Sequence, residues 1–552
     1  MESIRGFGCV ICAFLSFLSA PIAAAKAPSS GSESGAAAYV EVGKVTRLET
    51  IVWERILTSP TQSAKQRATS LVQIYKFFAN GRLRKDDEAI VFLAMAVLHS
   101  YERDLRYVAL PFLKSALSRR PTLIEHKNIS TVWKIFVQNF ASRSPRDEVT
   151  LAGIAALLDG PMLQNAAESR FAYFRGIRQL AQGSHAESLG MFSKVSIDSF
   201  DYRFAKFAEG ASLAANGKLA DALAAFQVVV SLEKTDAESA ALVSGSELVM
   251  LKERAVLQTA RILYEMGSFE ESLAYYRTLR QDSSFFFESL SEQAWAFFMA
   301  GYPNRAKGAV YAAETPFFAA FFNPDVYFLD AVLAYWMCDF SGANEKLKRF
   351  FAHSKNEGDA LRGLVLRFGN DSEAEQLTKY ARIAEDVFKG VSPKNIGLGP
   401  KVLSSLVRVV DVSDHLKDLE KLRSERLGFK EDKRYPTGKD RLDYALVEFE
   451  KTFFSSIGAQ VRNRLKTMAN VMDETLKRTR LLHLEVLTAT KDAVVGKART
   501  VQGNEFDAKE TEFSDVGQDI SRSWIQDKNE FWYDELGHYV FRENSKCKLG
   551  TP

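Results

Sequence analysis

The chain has 552 residues, enough for more than one sizeable core. Hydrophobic residues make up 46% and charged residues 26%, an ordinary globular balance, and a net charge of +3 excludes the strongly basic surface of a nucleic-acid binder. With only 32 Gly and 14 Pro, the turn-rich chemistry of an all-β design is excluded as well.

The N-terminus carries Arg5, the apolar run "FGCVICAFLSFLSAPI" and then Ala23–Ala25. This is the pattern of a secretory signal peptide over 1–25, cleaved after about Ala25. The small, polar stretch 26–38 reads as a disordered leader. No later run is apolar enough to span a membrane, so the expectation is an exported periplasmic or secreted protein without an integral segment. The mature chain then holds two cysteines, Cys338 and Cys547. An oxidising compartment favours a bond between them, and whether they meet depends on the fold.

Residues 39–391 read as a helical solenoid, with a period that is clearest over 169–351. Gly176 and Gly210 stand 34 residues apart, as do Gly183 and Gly217. Each set continues with a small residue, an aromatic and an aliphatic: Ser188, Phe192, Val195 and then Ala222, Phe226, Val229. The same offsets recur in Ala260, Gly267, Ser272, Tyr276, Leu279; in Ala294, Gly301, Ala306, Val310, Ala313; and in Ala331, Cys338, Ala343, Leu347, Phe350. A weaker copy runs from Val97 to Pro121. The spacing predicts helix pairs. Small residues allow close backbone approach, a left-handed residue ends the first helix, and the last three positions share one face of the second. A pair of this kind cannot bury its face alone, so neighbours stack.

These residues resemble the tetratricopeptide repeat family over about 88–121 and 169–351. Two departures stand out: sixteen extra residues, "TDAESAALVSGSELVM", between two copies, and Cys338 where glycine is usual. The resemblance implies an all-α superhelical solenoid whose first helices line a partner-binding groove. Projected onto this chain, the groove residues are Leu257, Arg261, Tyr264, Trp295, Phe298, Met299, Phe328, Tyr335 and Trp336. Exposed, they form a docking surface; covered, they are core.

Residues 392–400, "SPKNIGLGP", mark a boundary. A helix is expected from about Lys401 to Leu427, ended by Gly428. A second runs from about Arg441 to Val495, with apolar positions from Leu442 to Ala493 recurring every 3.6 residues or so. Together they predict a long antiparallel hairpin over 392–500. Its middle is basic, whereas the tail 501–552 is acidic, which suggests that the tail folds back.

The tail holds "EFWYDELGHYVF". Its Asp534–His538 core is one residue from the H-E-x-x-H zinc signature, which needs two His one turn apart with Glu as base. The second His is missing, so no metal or other cofactor is assigned. The bland use of these residues is docking, with Trp524, Phe531, Trp532, Tyr539 and Phe541 as anchors. The layout of signal, repeats, hairpin and aromatic tail is similar to periplasmic repeat proteins of bacterial gliding-motility envelope machinery. The resulting expectation is a non-enzymatic envelope scaffold that binds a protein partner. The alternatives are a metal-dependent cell-envelope hydrolase using Glu535 and His538, and a periplasmic chaperone-like factor.

Overall fold

The computed structural model describes residues 169–181, 183–199, 201–233, 245–318, 321–393, 396–407, 410–431, 439–495, 524–525 and 532–547. The signal segment, the leader, the weak repeat copy, Phe531 and most of the acidic tail lie outside these residues.

The described chain is mostly helical. In order come α1 (Ser169–Ala181), α2 (His185–Phe192), α3 (Tyr202–Ala215), α4 (Leu219–Ser231), α5 (Gly245–Glu265), α6 (Phe269–Tyr276), α7 (Phe286–Ala300), α8 (Pro303–Ala313), α9 (Pro324–Trp336) and α10 (Phe340–Arg367). Each packs against the next. The turn within each pair is set by one residue with positive φ: Gly183 (78°), Gly217 (73°), Gly267 (82°), Gly301 (91°) and Cys338 (57°). At Gly301 the following amide, Tyr302 N, donates to Phe297 O at 2.8 Å. At Cys338 the equivalent bond runs from Asp339 N to Ala334 O at 2.9 Å. Both close the helix end by the same left-handed motif.

The small residues do what their spacing implies. A Cβ built on Gly176 would stand 2.4 Å from the Phe192 ring, and one on Gly210 would stand 2.8 Å from Phe226. Each glycine is therefore the seat of the next helix's aromatic ring. Ser188, Ala222, Ser272, Ala306 and Ala343 are all fully buried. The two serines satisfy their hydroxyls, Ser188 Oγ donating to His185 O at 2.8 Å and Ser272 Oγ to Ala260 O at 2.7 Å.

Two elements are longer than the repeat period implies. Part of the sixteen-residue insertion, Gly245–Met250, forms the opening turns of α5. The helix begun by Ala343, Leu347 and Phe350 continues to Arg367, making α10 28 residues long. Its extension has a separate packing partner. A Cβ on Gly358 would stand 3.1 Å from Met472 and 3.3 Å from Leu476, Leu361 and Leu364 are buried, and Arg362 pairs with Asp473.

That partner is α14 (Lys439–Val494), 56 residues and about 80 Å long. Before it come α11 (Glu373–Phe388), opened by a Ser372/Glu375 capping box, α12 (Pro400–Val407) and α13 (Val410–Glu431). The expected helix end at Gly428 is corrected: α13 passes through it to Glu431. The long helix has more partners than the one expected. Near its start it lies against α13, where Arg423 and Arg426 meet Glu450 and His415 meets Phe453. Most of its length packs on α10 and α11. The apolar stripe is buried from Phe453 to Ala489, whereas Ala493 is exposed. Gly458 explains itself here, because a Cβ at that position would lie 1.9 Å from Leu377 O. The glycine admits the backbone of α11.

Among the described residues the only strand pairing is a two-residue parallel contact, β1 (Trp524–Ile525) with β2 (Tyr539–Val540).

Candidate functional site

The projected groove residues divide into two groups. Leu257, Arg261, Tyr264, Phe298 and Phe328 are in the core. The first helices of successive repeats pack side by side, so residues aimed at the neighbouring helix are sealed between them. Arg261 is engaged completely: its Nε and Nη2 donate to the Glu292 carboxylate at 2.9 and 2.6 Å, and Tyr276 Oη donates to the same carboxylate at 2.8 Å. Burial alone would lower the arginine's pKa, but the Glu292 charge overrides it and the net shift is upward. Burial is also the first cause that pushes the Tyr276 hydroxyl far up, so it stays a donor. The triad is a structural cross-brace between α5, α6 and α7.

The second group, Trp295, Met299, Tyr335 and Trp336, is half-buried and packed on the core. Its rings form a continuous ridge with the core aromatics. Trp295 lies 6.1 Å from Phe328 and 6.3 Å from Phe298, and Phe298 lies 5.6 Å edge-on to Trp336. The long helix frames it. Arg478 stacks 5.1 Å over Phe328 and donates to Asp325 Oδ1 at 2.5 Å, while Thr475 Oγ1 donates to the same oxygen at 2.8 Å. Leu482 and Val486 join the same apolar cluster. Glu292 and Asp325 were not among the projected residues, because their roles depend on which helices meet.

The C-terminal strap, 532–547, lies elsewhere, on α7, α8 and the α9–α10 turn. Leu536 is its buried anchor and joins the main core cluster. Gln281 Nε2 donates to Leu536 O at 3.2 Å, and Tyr533 Oη donates to Gln281 O at 3.0 Å. Tyr539 and Phe541 set their rings edge-on to Tyr311 at 5.1 and 5.8 Å. Burial pushes the Tyr539 hydroxyl up to about 12, and it accepts from Trp532 N at 3.1 Å. Trp532 itself is 58% exposed, so it is not an anchor; the apolar contact expected of it is made by Leu536. Trp524 is placed by its backbone pairing with Tyr539. At the end of the strap, Lys546 N donates to Met337 O at 2.8 Å, Lys546 pairs with Asp339 at 2.9 Å, and Cys547 is disulfide-bonded to Cys338.

The near-zinc sequence forms a 3₁₀ turn, Tyr533–Glu535, followed by Gly537 at φ 88°. Asp534 and His538 therefore do not share the helical face that the zinc signature uses. Among the described residues no group of three His, Cys, Asp or Glu side chains can hold a metal ion, and no helix is long and apolar enough to cross a membrane.

No protein-family model matches the chain, and no curated protein matches it.

Proposed function

We propose that the protein is a non-enzymatic, exported scaffold of the tetratricopeptide kind, in which the stacked repeats form a solenoid and α13 with α14 a helical hairpin. It docks a protein partner of the cell envelope on the aromatic ridge. One observation carries the reading: Trp295, Met299, Tyr335 and Trp336, on the first helices of consecutive repeats, are left half-exposed on a core cluster that Leu482 and Val486 of the long helix also join. Large rings on a rigid support lose little side-chain entropy on binding and dominate protein interfaces. The strap's rings pack on Tyr311 and Phe317 rather than on the ridge rings, and only its end reaches α9, where Cys547 Sγ lies 3.5 Å from Trp336 O.

The test is a crosslinking pull-down from envelope fractions with Trp295→Ala and Trp336→Ala. Loss of one discrete partner in both variants supports the reading. Retention of every partner ends it, and capture of many unfolded chains would turn the assignment toward a chaperone. Stoichiometric zinc, with activity lost in Glu535→Gln, would instead establish the hydrolase.

A further inference from the structure

Helix α8 carries a glycine, Gly308, in its interior, where glycine weakens a helix. Its use is visible on the outer face. A Cβ there would stand 1.8 Å from Tyr539 O, so only glycine lets the extended strap lie against the helix. The residues around it contact the strap in a particular way. Asn304 Nδ2 donates to Glu543 O at 3.1 Å, and Asn304 Oδ1 accepts from Glu543 N at 3.0 Å. Both polar groups of one residue's backbone are thus held by one side-chain amide, a contact that reads extended conformation rather than side-chain identity. Asn304 O accepts from Phe541 N at 3.3 Å. Identity is read by the neighbours. Tyr311 takes the rings of Tyr539 and Phe541, and Lys307 pairs with the Glu543 carboxylate while its Nζ lies 4.9 Å from the Phe541 ring centroid.

We propose that the outer face of α8, formed by Asn304, Lys307, Gly308 and Tyr311, is a binding site for extended peptides of the pattern aromatic-x-aromatic-x-acidic, and that Tyr539–Glu543 fills it as a cis ligand. The trans ligand is a segment of that pattern carried by another protein. Cys547 binds the cis ligand covalently beside the site, through Cys338 at the next helix turn. A tethered ligand competes at an effective concentration on the order of millimolar or higher, so the face is closed to a trans peptide while the tether holds. The site shares no residue with the aromatic ridge, and its failure would leave the ridge reading standing.

The test uses the full chain with its own strap disabled by Tyr539→Ala, Phe541→Ala and Cys547→Ser, which leaves the α8 face intact. The probe is a labelled peptide, LGHYVFRENSK, matching 536–546. Fluorescence anisotropy is expected to show saturable one-to-one binding to this chain and none to the oxidised wild type at the same concentrations. Adding Gly308→Ala, which favours the helix, should abolish binding, and Lys307→Glu should weaken it roughly tenfold. Should the triple variant lose its helical circular dichroism, the milder Phe541→Ala/Cys547→Ser chain is read by the same outcomes. No saturable binding to a folded, strap-disabled chain would overturn the proposal, as would equal binding after Gly308→Ala.

Discussion

Cys338 is, among the described residues, the one helix end where the left-handed turn is not made by glycine. A side chain in that conformation costs about 1–2 kcal/mol, and the gain in exchange is the bridge to Cys547. The two effects separate when the bridge is removed. With Cys547→Ser in both backgrounds, Cys338→Gly is expected to be more stable than Cys338→Ala by about 1 kcal/mol, read as a higher urea midpoint. Glu292 gives a larger prediction. Its carboxylate is the buried partner of Arg261 and Tyr276, so Glu292→Ala strands a charge in the core. The expected loss is about 3–5 kcal/mol, measured by chemical denaturation. Gly458→Ala should cost about 1–3 kcal/mol by the same measurement, because a Cβ 1.9 Å from Leu377 O forces α14 away from α11.

At the scale of elements, the strap responds to pH through its last contact. Burial alone would raise the pKa of Asp339, but the hydrogen bond from Lys546, the Gly342 amide and the lysine charge more than offset it and hold the carboxyl below its ordinary value of 3.8. A depressed carboxylate stabilises the folded state above that ordinary value, and its contribution is lost as pH falls through the folded one. In the Cys547→Ser chain, hydrogen-exchange protection of the Lys546 amide should therefore hold at neutral pH and decline below about pH 4. The periodic elements were legible in the sequence because each rests on local rules: Gly183, Gly217, Gly267 and Gly301 end helices, and Ser188, Ala222, Ser272, Ala306 and Ala343 are sealed where the offset places them. The lengths of α5 and α10 were not legible. Their extensions follow tertiary partners, and the repeat signature stops where the packing partner changes, as at Gly358 against Met472. The register of the long helix could be read from its stripe, but its pairing with α10 and α11 could not, since one apolar face does not name the face that covers it. The strap's aromatic content was visible as well. Leu536 and Gly308 were not separable from ordinary residues, although an unexplained glycine inside a helix was the available clue.

Across the whole molecule, one long helix joins regions that the repeats alone would leave separate. It runs from α11 at Gly458, along α10 at Met472, to the first turn of α9 at Arg478, and ends its buried stripe near Ala489 beside the ridge-bearing repeats. In the function proposed above, this support presents Trp295, Met299, Tyr335 and Trp336 to one protein partner. The most direct measurement places a photo-crosslinking amino acid at Met299 in the full chain, with Leu366, 75% exposed on α10, as the control position. One discrete crosslinked protein is expected from Met299, lost when Trp336→Ala is added, and none in common with Leu366. No crosslink from Met299, or the same products from both positions, would contradict it.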